Sequence, residues 1–107
     1  MDGGFADLDV ETVCSLLGDA RRRRLLRRLH DTSEPRATTA LARSLAEERD
    51  APVDRIRTQL VHVDLPLLAD AGVVRYESKT GVIEPTDRVE LLVSCAETIE
   101  RAVKSTA

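Results

Sequence analysis

Aromatic residues are almost missing from this 107-residue chain, which has one Phe, one Tyr and no Trp. Its core must therefore be aliphatic, and an aliphatic core in one small domain is thin. Cysteine is scarce as well. Cys14 and Cys95 form no CxxC and have no metal-ligand spacing, which argues against a disulfide framework or a zinc site. Both sit at apolar helical positions and read as small buried hydrophobes in a reducing compartment. No apolar run approaches the roughly 20 residues that a membrane span needs. The N-terminus has no basic start followed by an apolar stretch, so no secretion signal is expected and the protein reads as cytoplasmic. Glycine-rich phosphate loops are absent, and no Ser or Cys lies in the sequence context of a nucleophile. The chain therefore reads as no enzyme, with no cofactor, no catalytic residues and no metal site.

What is present is charge, unevenly placed. The net charge is −3. Residues 1–18 carry four acids and no base, and residues 58–107 carry five bases against eight acids. Residues 19–57 carry eleven Arg against seven acids, so the positive charge gathers in the middle of the chain.

Residues 1–107 read as one domain with helices near 9–17, 19–30, 38–48, 53–64 and 86–104 and a hairpin near 73–84. Met1–Ala6 contains Gly3-Gly4 and reads as a loose terminus. Asp9 suits an N-cap, with Leu8 and Val13 as a hydrophobic staple. Val10, Val13, Cys14 and Leu17 make the expected apolar face of the first helix. Asp19 caps the second, in which Leu25, Leu26 and Leu29 face inward. Arg21–Arg24, Arg27 and Arg28 cover the rest, as a solvated face with stems over the core in preference to phosphate contacts. Thr38 or Thr39 caps the third helix, whose stripe is Leu41, Ala42, Leu45 and Ala46.

The stretch 54–84 organises the rest. Ile56, Leu60 and Val63 recur at i, i+4 and i+7, one apolar helix face. Pro66 lacks an N–H and crowds the carbonyl of His62, so the helix is expected to kink or end there, with His62 as a structural hydrogen-bonder at the kink or, alternatively, a DNA or metal contact. Leu67, Leu68 and Ala71 resume the apolar side. Gly72 reads as a left-handed stop. Val73, Val74 and Tyr76, then Val82 and Ile83, suit two strands joined by Ser78-Lys79-Thr80-Gly81. A helix followed at once by a hairpin is the reading half of a winged helix. The fold class is therefore α+β, mostly α: a winged helix-turn-helix with a C-terminal helix.

Thr86 caps that last helix. Val89, Leu92, Ala96, Ile99 and Val103 are spaced 3, 4, 3 and 4, a short heptad seam that reads as a homodimer interface, with packing of one or both sides on its own domain as the alternative. Glu97 with Arg101, and Glu100 with Lys104, form i,i+4 pairs in the favourable order.

Arg24-Leu25-Leu26-Arg27-Arg28-Leu29, Leu41-Ala42-Arg43-Ser44-Leu45-Ala46 and Leu65-Pro66-Leu67-Leu68-Ala69-Asp70-Ala71-Gly72-Val73-Val74 resemble the ArsR/MarR-type winged-helix superfamily. More narrowly they resemble small haloarchaeal winged-helix domains of unknown function, in which a histidine-bearing helix runs into Leu-Pro, then Leu-x-x-x-Gly-Val-Val, then a wing. His62, Leu65, Pro66, Leu68, Gly72, Val73 and Val74 match as they stand. The chain departs from that pattern at Asp64, where a second histidine is common, and at Leu67, where a polar residue is common. The resemblance covers roughly residues 10–90 and implies the fold and DNA binding.

Two function classes follow. The first is a transcription regulator that reads duplex DNA with helix 53–64 and the hairpin 73–84. Its contacts would be Arg55, Arg57, Thr58 and Val61 in the groove, with Lys79 and Thr80 at the wing tip and Arg75 in support. The second is a winged helix used for protein contact without groove reading. The local basic segment favours the first and the acidic total favours the second.

Overall fold

In the computed structural model, residues 8–32 and 34–106 are described, and the expected loose terminus at Met1–Ala6 lies outside them. The elements in order are α1 (Val10–Leu17), α2 (Ala20–Thr32), β1 (Arg36–Ala37), α3 (Thr38–Arg49), α4 (Val53–Gln59), a π turn (Leu60–Asp64), α5 (Leu65–Asp70), β2 (Val74–Glu77), β3 (Val82–Pro85) and α6 (Asp87–Thr106). The class is α+β, mostly α, with a C-terminal helix, as the periodicity predicts.

The helix starts follow from local chemistry. Asp9 Oδ1 accepts from the Thr12 N–H at 2.8 Å, and Asp19 Oδ1 from the Arg21 N–H at 2.8 Å, so each carboxylate satisfies an otherwise orphaned first-turn donor. Thr86 Oγ1 accepts from the Arg88 N–H at 3.3 Å ahead of α6. The start of α3 differs from expectation. Ala37 is its N-cap, and neither Thr38 nor Thr39 caps it. Thr38 instead sends both its N–H and its hydroxyl to the Gly81 carbonyl, at 2.8 and 2.6 Å, which ties α3 to the hairpin turn.

Gly72 and Gly81 have φ of 70° and 74°, a region that costs Gly nothing. At Gly72 the Schellman pattern is complete. The Val73 N–H reaches the Leu68 carbonyl at 2.9 Å and the Gly72 N–H reaches that of Ala69 at 3.0 Å. The chain then turns into an antiparallel hairpin with Tyr76 opposite Ile83 and Glu77 opposite Val82. Arg36 and Ala37 pair with Ile83 and Val82, so the sheet has three strands in the order β1-β3-β2. This third strand was not expected: two residues carry no periodicity, and their pairing is wholly non-local.

The core is aliphatic throughout. Leu25, Leu26 and Leu29 of α2, Leu41, Ala42 and Leu45 of α3, Ile56 and Leu60, Leu65 and Leu68, Val73, Val74 and Ile83, and Val89, Leu92 and Ala96 of α6 all enclose it. Several expected faces are rotated. α1 buries Leu16 and Leu17, while Val10 is 78 % exposed and Cys14 is exposed as well; Cys95 is half-buried. Cys14 is therefore no core residue, because the buried arc of α1 is centred on the Leu16–Leu17 side and Cys14 faces away from it.

The helix does not end at Pro66. Residues 53–70 are helical throughout, and the Leu65 N–H bonds the Leu60 carbonyl, five residues back. The wider turn admits Pro66 near the start of α5, where a missing N–H is tolerated. It also shifts the inward register. Val63 is 46 % exposed and Asp64 takes the buried place, fully enclosed; Leu67 is exposed too, while Leu68 and Ala71 are buried. His62 is exposed and its imidazole makes no hydrogen bond among the described residues, so there it is not the expected structural bonder at Pro66.

On α6 the expected seam divides. Val89, Leu92 and Ala96 are buried in their own domain and are unavailable to a partner. Ile99 and Val103 are 47 % and 62 % exposed, because no residue of α6 beyond Ala96 is buried. Glu100 turns to Arg27 and Arg23 of α2 instead of Lys104, and Arg101 bonds Thr98 instead of Glu97.

Candidate nucleic-acid interface

The distribution of arginines defines the surface. The run on α2 is internal wiring rather than a solvated face. Arg22 donates to the Leu16 and Ser15 carbonyls at 3.0 and 2.8 Å, and Arg23 donates to Leu17, so together they satisfy the free C-terminal carbonyls of α1. Arg27 pairs with Glu100 and Arg28 with Glu48. Arg75 faces Glu84 across the hairpin at 3.5 Å, so it does not support Lys79 as expected. Arg88 Nη1 donates to the Ala71 carbonyl at 2.7 Å.

Arg21 makes the innermost contact. Its Nε and Nη2 donate to the two Asp64 oxygens at 3.0 and 3.1 Å, a bidentate pair, and Arg22 Nη1 stands 3.6 Å from the same carboxylate. The bond to Asp64 raises the Arg21 guanidinium above its ordinary value, with burial opposing. The pair ties the N-terminal turn of α2 to the end of the π turn. Sequence reasoning missed it because the partners lie 43 residues apart.

Arg55, Arg57 and Thr58 behave differently. All three are exposed on α4, and neither arginine has an ion-pair partner among the described residues. With Ile56 and Leu60 turned inward, the helical period puts Thr58 near the centre of the outward arc and Arg55 and Arg57 on its two flanks. Val61 is half-buried at the edge of that arc. Asp54 is exposed in the first turn, where it suits the helix dipole.

Lys79 and Thr80 stand together at the hairpin turn, both exposed. The Lys79 backbone N–H donates to the Glu77 carboxylate at 3.1 Å, and its ammonium has no ion pair among the described residues. Thr80 is partly committed: its Oγ1 accepts from the Val82 N–H at 3.3 Å and helps to shape the turn. No hydrogen bond or ion pair joins the α4 group to the hairpin group; α3 lies between them, packed on α4 and bonded to Gly81 through Thr38. Arg43 and Arg49 of α3, which sequence reasoning left out, are also exposed and without an ion pair among the described residues. Their signal was available as basic positions outside the Leu41–Ala46 stripe.

No group of His, Cys, Asp and Glu among the described residues could hold a metal ion. No helix among them is long and apolar enough to cross a membrane.

The site thus defines a class: a small, mostly helical domain that presents a basic helix arc, without ion pairs among the described residues, and a hairpin on the other side of α3. The chain belongs to a family described as a domain of unknown function (DUF7344), whose model matches residues 14–84, more than half of its length. The match runs from α1 into β3 and leaves α6 outside. No curated protein and no solved structure matches the chain.

Proposed function

We propose that this chain is a DNA-binding transcription regulator of the winged helix-turn-helix kind, akin to the ArsR/MarR-type superfamily and acting as a homodimer. One observation carries the reading. The arginines of α2 are bonded inside the domain at five of six positions, whereas Arg55 and Arg57, on the helix that precedes the hairpin, are left outward. Unpaired guanidinium groups beside Thr58 suit guanine edges and phosphates, and Val61 suits a thymine methyl. Lys79 and Thr80 at the hairpin tip suit the sugar-phosphate backbone.

The second copy would sit on the free end of α6. Ile99 and Val103 line an apolar groove of about 290 Å³ with Leu17 and Ala96, rimmed by Arg23, Glu100 and Lys104. Pairing two copies there would give the assembly two α4 helices, as a two-fold operator requires. The compartment that goes with this reading is the cytoplasm, where genomic DNA lies and Cys14 and Cys95 stay free thiols.

A protein-contact role is the second reading, and exposed Val63 and Leu67 on the same helix favour it. Titrating the protein with duplex from upstream of its own gene and with random duplex, across salt, separates the two. DNA reading predicts tighter binding to the first duplex, and affinity that falls by about one log unit per phosphate neutralised for each tenfold rise in salt. Equal or absent binding to both, unchanged in Arg57→Ala, supports protein contact instead.

A further inference from the structure

The helix of residues 53–70 buries Ile56, Leu60, Asp64, Leu65 and Leu68. Those positions do not form a single α-helical stripe, because two successive steps of four drift away from a 3.6-residue period. Removing one residue between Leu60 and Asp64 gives i, i+4, i+7, i+8 and i+11, an ordinary amphipathic face. The π turn therefore absorbs one residue that the core does not need. That surplus lies among Val61, His62 and Val63, of which the last two are exposed.

Stability costs gather at the same turn. Asp64 is a fully enclosed carboxylate whose desolvation offsets most of its attraction to Arg21. Gln59 Oε1 is buried with no partner among the described residues, beside a cavity of about 10 Å³ where Arg21, Arg49, Gln59 and Asp64 meet four aliphatic side chains. Such a space holds about one water, which could donate to Gln59 Oε1. A wide turn that costs stability and serves no packing need is found mostly where it shapes a working surface. Here the wide turn includes His62, which is exposed. His62 lies four residues beyond Thr58, on the same outward arc.

We propose that the π turn is a one-residue insertion that lengthens the DNA-reading arc, and that His62 at its apex is a further contact to duplex DNA. The proposal rests on the DNA reading above. An imidazole offers one donor and one acceptor when neutral, so it can meet guanine N7 or O6, or the exocyclic amine of adenine or cytosine. Pro66 supplies a rival cause, since a missing N–H alone could demand the wide turn.

Three variants decide between these. Pro66→Ala should keep the π turn, read by NMR as the Leu65 amide still bonded to Leu60, and should bind DNA as the parent does. Deleting Val63 from Pro66→Ala should give a folded protein, with a melting midpoint no lower than that of Pro66→Ala. That deletion, and separately His62→Ala in the parent, should each cut the preference for upstream over random duplex by about fivefold or more. Loss of the π turn in Pro66→Ala would assign it to the proline and overturn the insertion. Failure of the deletion to fold would show that the core needs the residue. Undiminished preference in either binding variant would overturn the role of the turn or of His62. A parent chain with no preference would refute the DNA reading itself, and with it this extension, while the folding of the deletion would still decide whether the turn is an insertion.

Discussion

Replacing Asp64 tests the wiring of the fold most sharply. Asp64 has no exposed surface and accepts two hydrogen bonds from Arg21, with Arg22 at 3.6 Å. Asp64→Ala leaves these guanidinium groups facing an apolar wall. Breaking a buried pair from one side typically costs about 3–5 kcal/mol. Arg21 is 25 % exposed and can recover some hydration, which brings the expected loss to about 2–3 kcal/mol. For a domain of this size that is a drop of about 10–20 °C in melting midpoint. Asp64→Asn should fare little better, since its amide turns a donor toward donors. Arg21→Met with Asp64→Leu removes both charges and should lie within about 1 kcal/mol of the parent, because desolvating the pair offsets most of its attraction. Urea unfolding followed by far-UV circular dichroism gives each value, provided the slope with urea stays constant. A loss below about 1 kcal/mol in Asp64→Ala, or a double variant as unstable as the single one, would refute the argument.

Three further outcomes are expected. Asp50 ends α3 at φ 51° and ψ 50°, so Asp50→Gly should gain about 0.5–1 kcal/mol in thermal unfolding; a loss would show that the side chain has an unseen role. The Arg21 N–H, aided by the Arg21 and Arg22 charges, holds the Asp19 carboxyl below its ordinary value. Its stabilisation is therefore full above the unfolded pKa and is lost as pH falls below about 4, and Asp19→Asn should flatten that part of the acid limb in a stability-versus-pH series. Ile99→Asp with Val103→Asp should yield a folded monomer in light scattering, since both side chains are exposed in one copy and an unpaired charge in a buried seam costs several kcal/mol; a parent chain that is already a monomer at high concentration contradicts the dimer.

How much of this was readable depended on range. Asp9, Gly72 and Gly81 act within a few residues of themselves, so their chemistry is visible locally, and α2 repeats Leu25, Leu26 and Leu29 at a period that admits one reading. Asp64 was opaque for the opposite reason. An acid at the end of an apolar stripe reads as solvent-facing until Arg21, far away in sequence, comes to rest against it. The π turn hid in the same place: Ile56, Leu60 and Val63 fit the α period better than the true set, and a single surplus residue moved the next inward position from Val63 to Asp64. β1 left no mark, because two residues have no pattern. Cys14 misled because a Val10–Cys14 stripe is as periodic as the Leu16–Leu17 side that wins. The candidate contacts on α4 needed only its outward arc, which Ile56 and Leu60 already defined, whereas the division of the α6 seam depended on where the domain stops covering that helix.

The central claim is that the outward arc of α4, with the hairpin tip, meets duplex DNA. The most direct measurement is an amide chemical-shift map of the labelled protein titrated with duplex from upstream of its own gene. The account predicts shifts concentrated at Asp54–His62 and at Lys79–Gly81, fading as salt rises and diminished in Arg55→Ala with Arg57→Ala. Shifts confined to α1 and α6, or none at concentrations where the duplex is in excess, would contradict it.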